Sequence, residues 1–459
     1  LVVHLFALET IKLRRSARKE GNFRYDSGNA PSTKSCNYRL AERHVVTAIP
    51  DSVREQRATA TLALCFLTAV IEGVDLQSMG IAAPSLGPEF GLSRQQLGVV
   101  LLASPLGLFF GAFIGGRIAD SWGRKKALVL ATALFGALQL GTAWAKGLES
   151  LLVIRFLCGL GLGGAFPNLI ALTAEASGGR NSIINVVITV AGMPAGGALA
   201  SFIGYLGGAH GDWRIVFYVG GIAPLALALV MAVALPESAL FRAAKAAAAA
   251  AGTRHTTLEV LFGGTRARPT VFLWVAVFFT TLVTYLLLNW LPVLMGAKGF
   301  SRTDSLLIQI LFNVGAALGS VYLGWTMQRR PRWTVLLVCY AGLAVGLVVM
   351  APLGKDLLLA AATATAIGAC ALGAQLILFA LAPAYYAVET RGTGTGATVA
   401  ASRLGSAVGP FVAGILLGHG ASETHVLQAL LPVTAVAAAA TIGLLFLKRD
   451  DTVGLSTTK

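Results

Sequence analysis

The chain has 459 residues, of which 56% are hydrophobic and only 12% charged, against about 25% charged in an ordinary soluble domain. A soluble fold this apolar could not cover its own surface with polar groups, so the composition excludes an ordinary water-soluble enzyme and points to lipid. The formal net charge of +15 does not point to nucleic acid. The basic residues stand in short clusters between long apolar runs, as in Arg124-Lys125-Lys126 and Arg329-Arg330-Pro331-Arg332, and none of these interleaves with aromatics as a single-strand binding platform does.

In chain order, residues 1–57 are polar and basic, with no apolar run long enough for a signal peptide. The chain opens with Leu1 and its first methionine is Met79. We therefore expect a non-Met start codon between about residues 40 and 57, with upstream read-through before it. The competing expectation is a disordered basic arm that touches anionic lipid. Crossing the hydrocarbon core takes about 20 apolar residues, and such runs occur near 59–83, 96–119, 127–145, 150–174, 183–207, 214–235, 270–295, 304–326, 333–353, 357–382, 393–418 and 426–447. The expected fold is an all-α membrane protein of twelve transmembrane helices: a six-helix bundle over 58–235, a linker over 236–269 and a second bundle over 270–447. A tail of 448–459 follows.

Lys and Arg gather in alternate connections: Arg124, Lys125 and Lys126, then Arg180, the linker, Arg329, Arg330, Arg332 and Arg391. The other connections hold scattered single residues such as Arg94, Lys146 and Arg214. By the excess of Lys and Arg in cytoplasmic loops, both termini are expected inside a bacterial inner membrane. The halves repeat. A shift of about 208 residues sets Gly91-Leu92-Ser93 on Gly299-Phe300-Ser301 and Gly116 on Gly324, and a slightly larger one sets Gly159 on Gly368 and Arg180 on Arg391. Such duplication predicts a pseudo-two-fold axis with a substrate cavity at the repeat interface, near the bilayer midplane.

The residues able to carry chemistry are few. Glu72 and Asp75 stand mid-way along the first span. A carboxylate there costs about 2.5–3.5 kcal/mol on insertion scales, which predicts a task for the pair, and exchanging a proton is the obvious one. Arg155, opening Arg155-Phe156-Leu157-Cys158-Gly159-Leu160-Gly161 in the fourth span, is their expected partner. At the aligned positions of the second half stand Thr280, Val283 and Ala364, so proton machinery is expected in the first half alone. The second half offers Arg403, a permanent cation suited to a carboxylate. It also offers an aromatic-rich seventh span through Phe278, Phe279, Tyr285, Asn289 and Trp290. Aromatic faces suit a ring, although lipid-facing positions account for many such residues. The five cysteines are far apart and lack ligand spacing, so neither a metal nor a cofactor is expected.

Gly116, Asp120, Gly123, Arg124 and Lys125, between the second and third spans, resemble the loop signature of the major facilitator superfamily. In that pattern glycine makes the turn, Asp120 caps a neighbouring helix and the basic residues anchor one face. Ser121 departs from it, as does Gln328 in the second copy. Further likeness lies in Glu72-Gly73-Val74-Asp75, Pro167-Asn168-Leu169 with Glu175 and Arg180, Tyr285 through Asn289-Trp290-Leu291-Pro292, the Gln375 region, and Tyr386 through Pro410 with Arg391 and Arg403. Over residues 58–447 the chain resembles the aromatic acid:proton symporter family. The resemblance implies a monomeric transporter of a small aromatic acid, coupled to protons. It further implies proton coupling at Glu72, Asp75 and Arg155, with substrate contacts at Arg403, Tyr285, Asn289, Trp290, Gln375 and Asn168. Gating falls to the loop residues, with Glu175, Arg180 and Arg391. A rival is drug/proton antiport, because Gly192-Met193-Pro194-Ala195-Gly196-Gly197 resembles an antiporter motif; close helix packing also requires such glycines.

Overall fold

A computed structural model describes residues 51–177, 182–206, 212–237, 261–263, 267–327, 329–386 and 391–447. Most of the expected tail and linker, Arg180, Gln328 and residues 448–459 lie outside them. The described residues form α1 (Asp51–Glu89), α2 (Arg94–Trp122), α3 (Arg124–Thr142), α4 (Leu148–Gly163), α5 (Ala165–Ser177), α6 (Ser182–Leu206) and α7 (Arg214–Ala234). The second half contributes α8 (Ala267–Ala297), α9 (Arg302–Thr326), α10 (Arg332–Met350), α11 (Leu357–Leu381), α12 (Arg391–Gly418) and α13 (Glu423–Phe446), with a 3-10 turn at Ala382–Tyr385.

Two boundaries differ from expectation. The fourth span is broken at Gly164 into α4 and α5. Pro167 has no N–H to offer the Gly163 carbonyl, and the Asn168 side-chain amide donates to Gly164 O at 2.7 Å, satisfying a carbonyl at the break. Eleven stretches among the described residues are long and apolar enough to cross a membrane. The remaining predicted crossing is α3, whose 19 residues open on Arg124-Lys125-Lys126 and so average less apolar.

The fold is that of two pseudo-symmetric six-helix bundles. Helix α2 packs on α4 as α9 packs on α11, and α3 packs on α7 as α10 packs on α13. The repeat extends to single contacts. A side chain at Gly159 would run into the Ser104 carbonyl, and one at Gly368 into the Phe312 carbonyl, the same contact one repeat later. The bundles meet through α2 against α12 and α6 against α9, again a symmetric pair.

One end of the helices carries the basic connections; the opposite end is where α1 stops and α2 starts. At that opposite end the halves are closed on each other. A Cβ on Gly98 would lie 2.9 Å from Gly414 Cα, and one on Gly80 would lie 2.6 Å from the Asn289 carbonyl oxygen. Arg302 on α9 also donates to Ser85 on α1.

Candidate functional site

Both acids on α1 are fully buried, and they look to different partners. Asp75 pairs with Arg155, whose Nη1 donates to Oδ1 at 2.9 Å in a site where neither side chain is more than 1% exposed. The same nitrogen donates to Gln139 Oε1 on α3. Gln139 in turn donates to Ser78 Oγ at 3.0 Å, and Ser78 to Val74 O, which closes the network back onto α1. Cys158 Sγ lies 3.5 Å from Asp75 Oδ1. In the second half Val283 and Ala364 stand where Asp75 and Arg155 do, and Thr280, the counterpart of Glu72, shares a 2.8 Å hydrogen bond with Tyr340, which reaches Thr441 at 3.1 Å; that network is neutral.

Glu72 faces the second half. Its nearest cation is Arg403 on α12, Nη2 to Oε1 3.7 Å, and neither carboxylate oxygen has a hydrogen-bond partner among the described residues. Arg155 therefore does not serve both acids, as the sequence suggested. Three residues leave the two side chains about 60° apart around the helix and about 4.5 Å apart along it, and from there Asp75 reaches Arg155 on α4 while Glu72 reaches toward Arg403 across the bundle interface. Arg403 also donates to the Tyr285 hydroxyl at 3.4 Å and lies over the Phe166 ring at 5.1 Å.

Arg403, Tyr285 and Phe166 border a central cavity between the bundles. Arg403, Tyr285 and Gln375 stand in its wall beside Gln77, Phe166 and Phe379, so both halves contribute. The cavity runs from the middle of the helices toward the basic end, where Val190, Ser320, Phe379 and Val399 line it.

Three residues expected to contact substrate, Asn168, Trp290 and Asn289, do not line this cavity. Asn168 is held in the α4–α5 break by its bond to Gly164 O. Trp290 is fully buried and donates to Pro410 O at 2.9 Å, so its ring packs α8 on α12. Asn289 donates to Tyr285 O on its own helix and faces a separate small cavity beside Arg155 and Ser104. Phe278 and Phe279 stack edge-on against each other, with centroids 5.1 Å apart, outside the cavity wall. Hydropathy and aromatic content do not fix the rotation of α8.

At the basic end, Arg124 and Glu175 form an ion pair that ties the start of α3 to the end of α5. Gly123 takes a φ of 108° at the α2–α3 turn, a conformation that favours glycine. The N–H of Lys125 donates to Glu237 at 3.1 Å, so a carboxylate from the end of α7 caps α3. Glu237 was not singled out from sequence, where an acid after an apolar span looks like any loop residue. The side chains of Asp120 and Arg391 and the environment of Gly116 lie outside the described residues. In α6, Gly196 abuts the Val70 carbonyl, and Gly73 on α1 abuts that of Met193. These glycines serve a close helix crossing.

A cavity between two six-helix bundles with an intramembrane arginine in its wall suits a transporter, and known families show which kind. The Major Facilitator Superfamily matches residues 65–410 and again 301–458. The chain belongs to the major facilitator superfamily. It is a multi-pass membrane transporter, not an enzyme. Among curated relatives, it is 40% identical over 393 residues to the 3-(3-hydroxy-phenyl)propionate transporter of Escherichia coli (strain K12), covering 85% of this chain and 94% of that one. It is 36% identical over 405 residues to the gallate transporter of Pseudomonas putida, covering 83% and 90%. Among solved structures, the D-xylose-proton symporter superposes with a TM-score of 0.70 at 18% identity, covering 84% of this chain and 97% of that one. That likeness speaks to the fold.

Proposed function

We propose that this transporter carries an aromatic carboxylic acid into the cell by proton symport and alternating access, with 3-(3-hydroxyphenyl)propionate or a related hydroxylated acid as substrate. The observation that carries this reading is Arg403: a buried guanidinium in the cavity wall whose only nearby carboxylate among the described residues, Glu72, makes no hydrogen bond to it. A substrate carboxylate can take two parallel N–H···O bonds from a guanidinium, which Glu72 does not. The names of the relatives support an aromatic acid, and Phe166, Tyr285 and Phe379 supply flat apolar surface for its ring.

Charge accounting gives the coupling. With the cavity empty, Arg403 is balanced by ionised Glu72. When a substrate carboxylate engages Arg403, a second anion in the same buried place is unfavourable, and Glu72 takes up a proton. Loaded and empty cavities are then each neutral overall, which lets the bundles rock around either. Asp75 remains ionised against Arg155 throughout. Positive loops inside put both termini in the cytoplasm of a bacterial inner membrane, so the conformation described here, closed at the far end, is the inward-facing one.

The test is uptake of labelled aromatic acids into proteoliposomes with and without an imposed pH gradient. We expect accumulation when the outside is acidic and none without the gradient. No accumulation of any aromatic acid under a pH gradient would overturn the proposal.

A further inference from the structure

Between Glu72 and the closed end, α1 and α9 are joined by three buried amides. Gln77 Nε2 donates to Asn313 Oδ1 at 2.5 Å, and Asn313 Nδ2 returns a bond to Gln77 Oε1 at 2.8 Å. Gln309 Nε2 donates to the same Gln77 oxygen at 2.9 Å and to Leu288 O at 3.2 Å. The second Asn313 N–H goes to Gln309 O at 2.9 Å. None of the three side chains is more than 2% exposed, and Gln77 stands in the wall of the central cavity.

A primary amide has two N–H donors and one oxygen with two lone pairs. Counting through the cluster, Gln77 has used both lone pairs and one N–H. Gln309 has used both N–H groups, while its Oε1 has no partner among the described residues. The residual capacity is thus one donor on Gln77, both lone pairs of Gln309 Oε1 and one lone pair of Asn313 Oδ1. A free donor on Gln77 beside a free acceptor on Gln309, on two amides already hydrogen-bonded to each other, suits a hydroxyl group, which accepts one bond and donates another. A carboxylate would bring acceptors alone, and a methyl or a halogen no donor.

Resting on the proposed reading of the cavity as an aromatic acid site, we infer that Gln77 and Gln309 read a ring hydroxyl on the substrate. The Gln77 N–H donates to the phenolic oxygen, and the phenolic O–H donates to Gln309 Oε1. Gln77 follows Glu72 by five residues, about 7.5 Å along the helix at 1.5 Å per residue. A carboxylate on Arg403, opposite Glu72, therefore leaves the far side of the ring near the amides. Because Asn313 and Gln309 come from the second half and Gln77 from the first, the hydroxyl is read at the bundle interface, where its presence also bears on closure.

The experiment compares three ligands on the whole protein in proteoliposomes: 3-(3-hydroxyphenyl)propionate, its 3-fluoro analogue, which keeps the shape and lacks the donor, and unsubstituted 3-phenylpropionate. KM is measured for wild type and for Gln309→Met. In wild type the hydroxylated acid is expected to have a KM lower by about tenfold or more than either analogue, as an unpaired buried acceptor penalises a ligand that cannot satisfy it. In Gln309→Met that ratio is expected to fall to near one. A wild type that takes up all three acids with equal KM overturns the inference and leaves aromatic acid transport standing, and this comparison decides the matter even if the variant does not fold. A Gln309→Met protein that keeps the full preference overturns it as well. Uptake of none of the three under a pH gradient overturns the reading of the cavity itself.

Discussion

At the scale of single residues, the two acids of α1 differ in what their removal costs. Asp75 and Arg155 are a fully buried, hydrogen-bonded pair. Removing one partner from such a pair leaves an uncompensated charge and costs about 3–5 kcal/mol, whereas replacing both is far milder. We expect Asp75→Asn to lower thermal stability in detergent markedly. The double variant Asp75→Asn with Arg155→Gln is expected to recover most of it. A double variant no more stable than the single one assigns the loss to something other than the orphaned guanidinium. Glu72 has no such bond to lose, and the consequence falls on its counter-ion. Arg403→Lys keeps the charge but gives up the planar fork. The expected result is at least about tenfold weaker binding of the aromatic acid, with a matched neutral amide nearly unaffected. Equal weakening of both ligands marks Arg403 as a structural cation.

At the scale of helices, the closed end depends on a contact with no side chains in it. Gly98 of α2 and Gly414 of α12 meet backbone to backbone, and a Cβ on Gly98 would also lie 3.4 Å from the Phe411 carbonyl. Gly98→Val is therefore expected to hold that end apart while leaving each bundle intact. A reporter cysteine at Val100, buried in this conformation, is expected to react several-fold faster with an impermeant maleimide in the Gly98→Val background, and substrate accumulation to fail. Unchanged labelling means the seal lies elsewhere. The helices themselves were legible in the sequence, because the thickness of lipid demands long apolar runs and each intramembrane charge is too costly to be incidental. The repeat was legible too, down to Gly159 and Gly368 filling one role twice. Helix rotation was not. Periodicity says little when a helix is apolar on every side, and nothing in the composition of α8 shows that Trp290 and Asn289 stand outside the wall of the central cavity. The same gap hid Gln77, Gln139, Gln309 and Asn313. A neutral amide in an apolar span gives no signal of whether it faces a neighbour, a cavity or its own helix, and only the contacts reveal which.

At the scale of the whole molecule, the arrangement of charge sets what can drive the cycle. Moving a carboxylate into an inside-negative cell opposes the membrane potential by about 2.3 kcal/mol per 100 mV. In the proposed cycle Arg403 is matched by one carboxylate at a time, Glu72 when the cavity is empty and the substrate when it is full, so one proton enters with each anion. The membrane potential then does no work on the loaded step, and accumulation follows the pH gradient alone, about tenfold per unit of pH difference. Potential and pH gradient can be imposed separately on liposomes, the first with a potassium gradient and valinomycin. We expect strong uptake with a pH gradient at zero potential and negligible accumulation with an inside-negative potential at equal pH. Glu72→Gln fixes the neutral state and is expected to permit exchange of labelled for unlabelled substrate while abolishing accumulation. Strong uptake on potential alone requires a second proton per substrate. The only other buried acid among the described residues is Asp75, so that outcome makes the Asp75–Arg155 pair open and close with each turn.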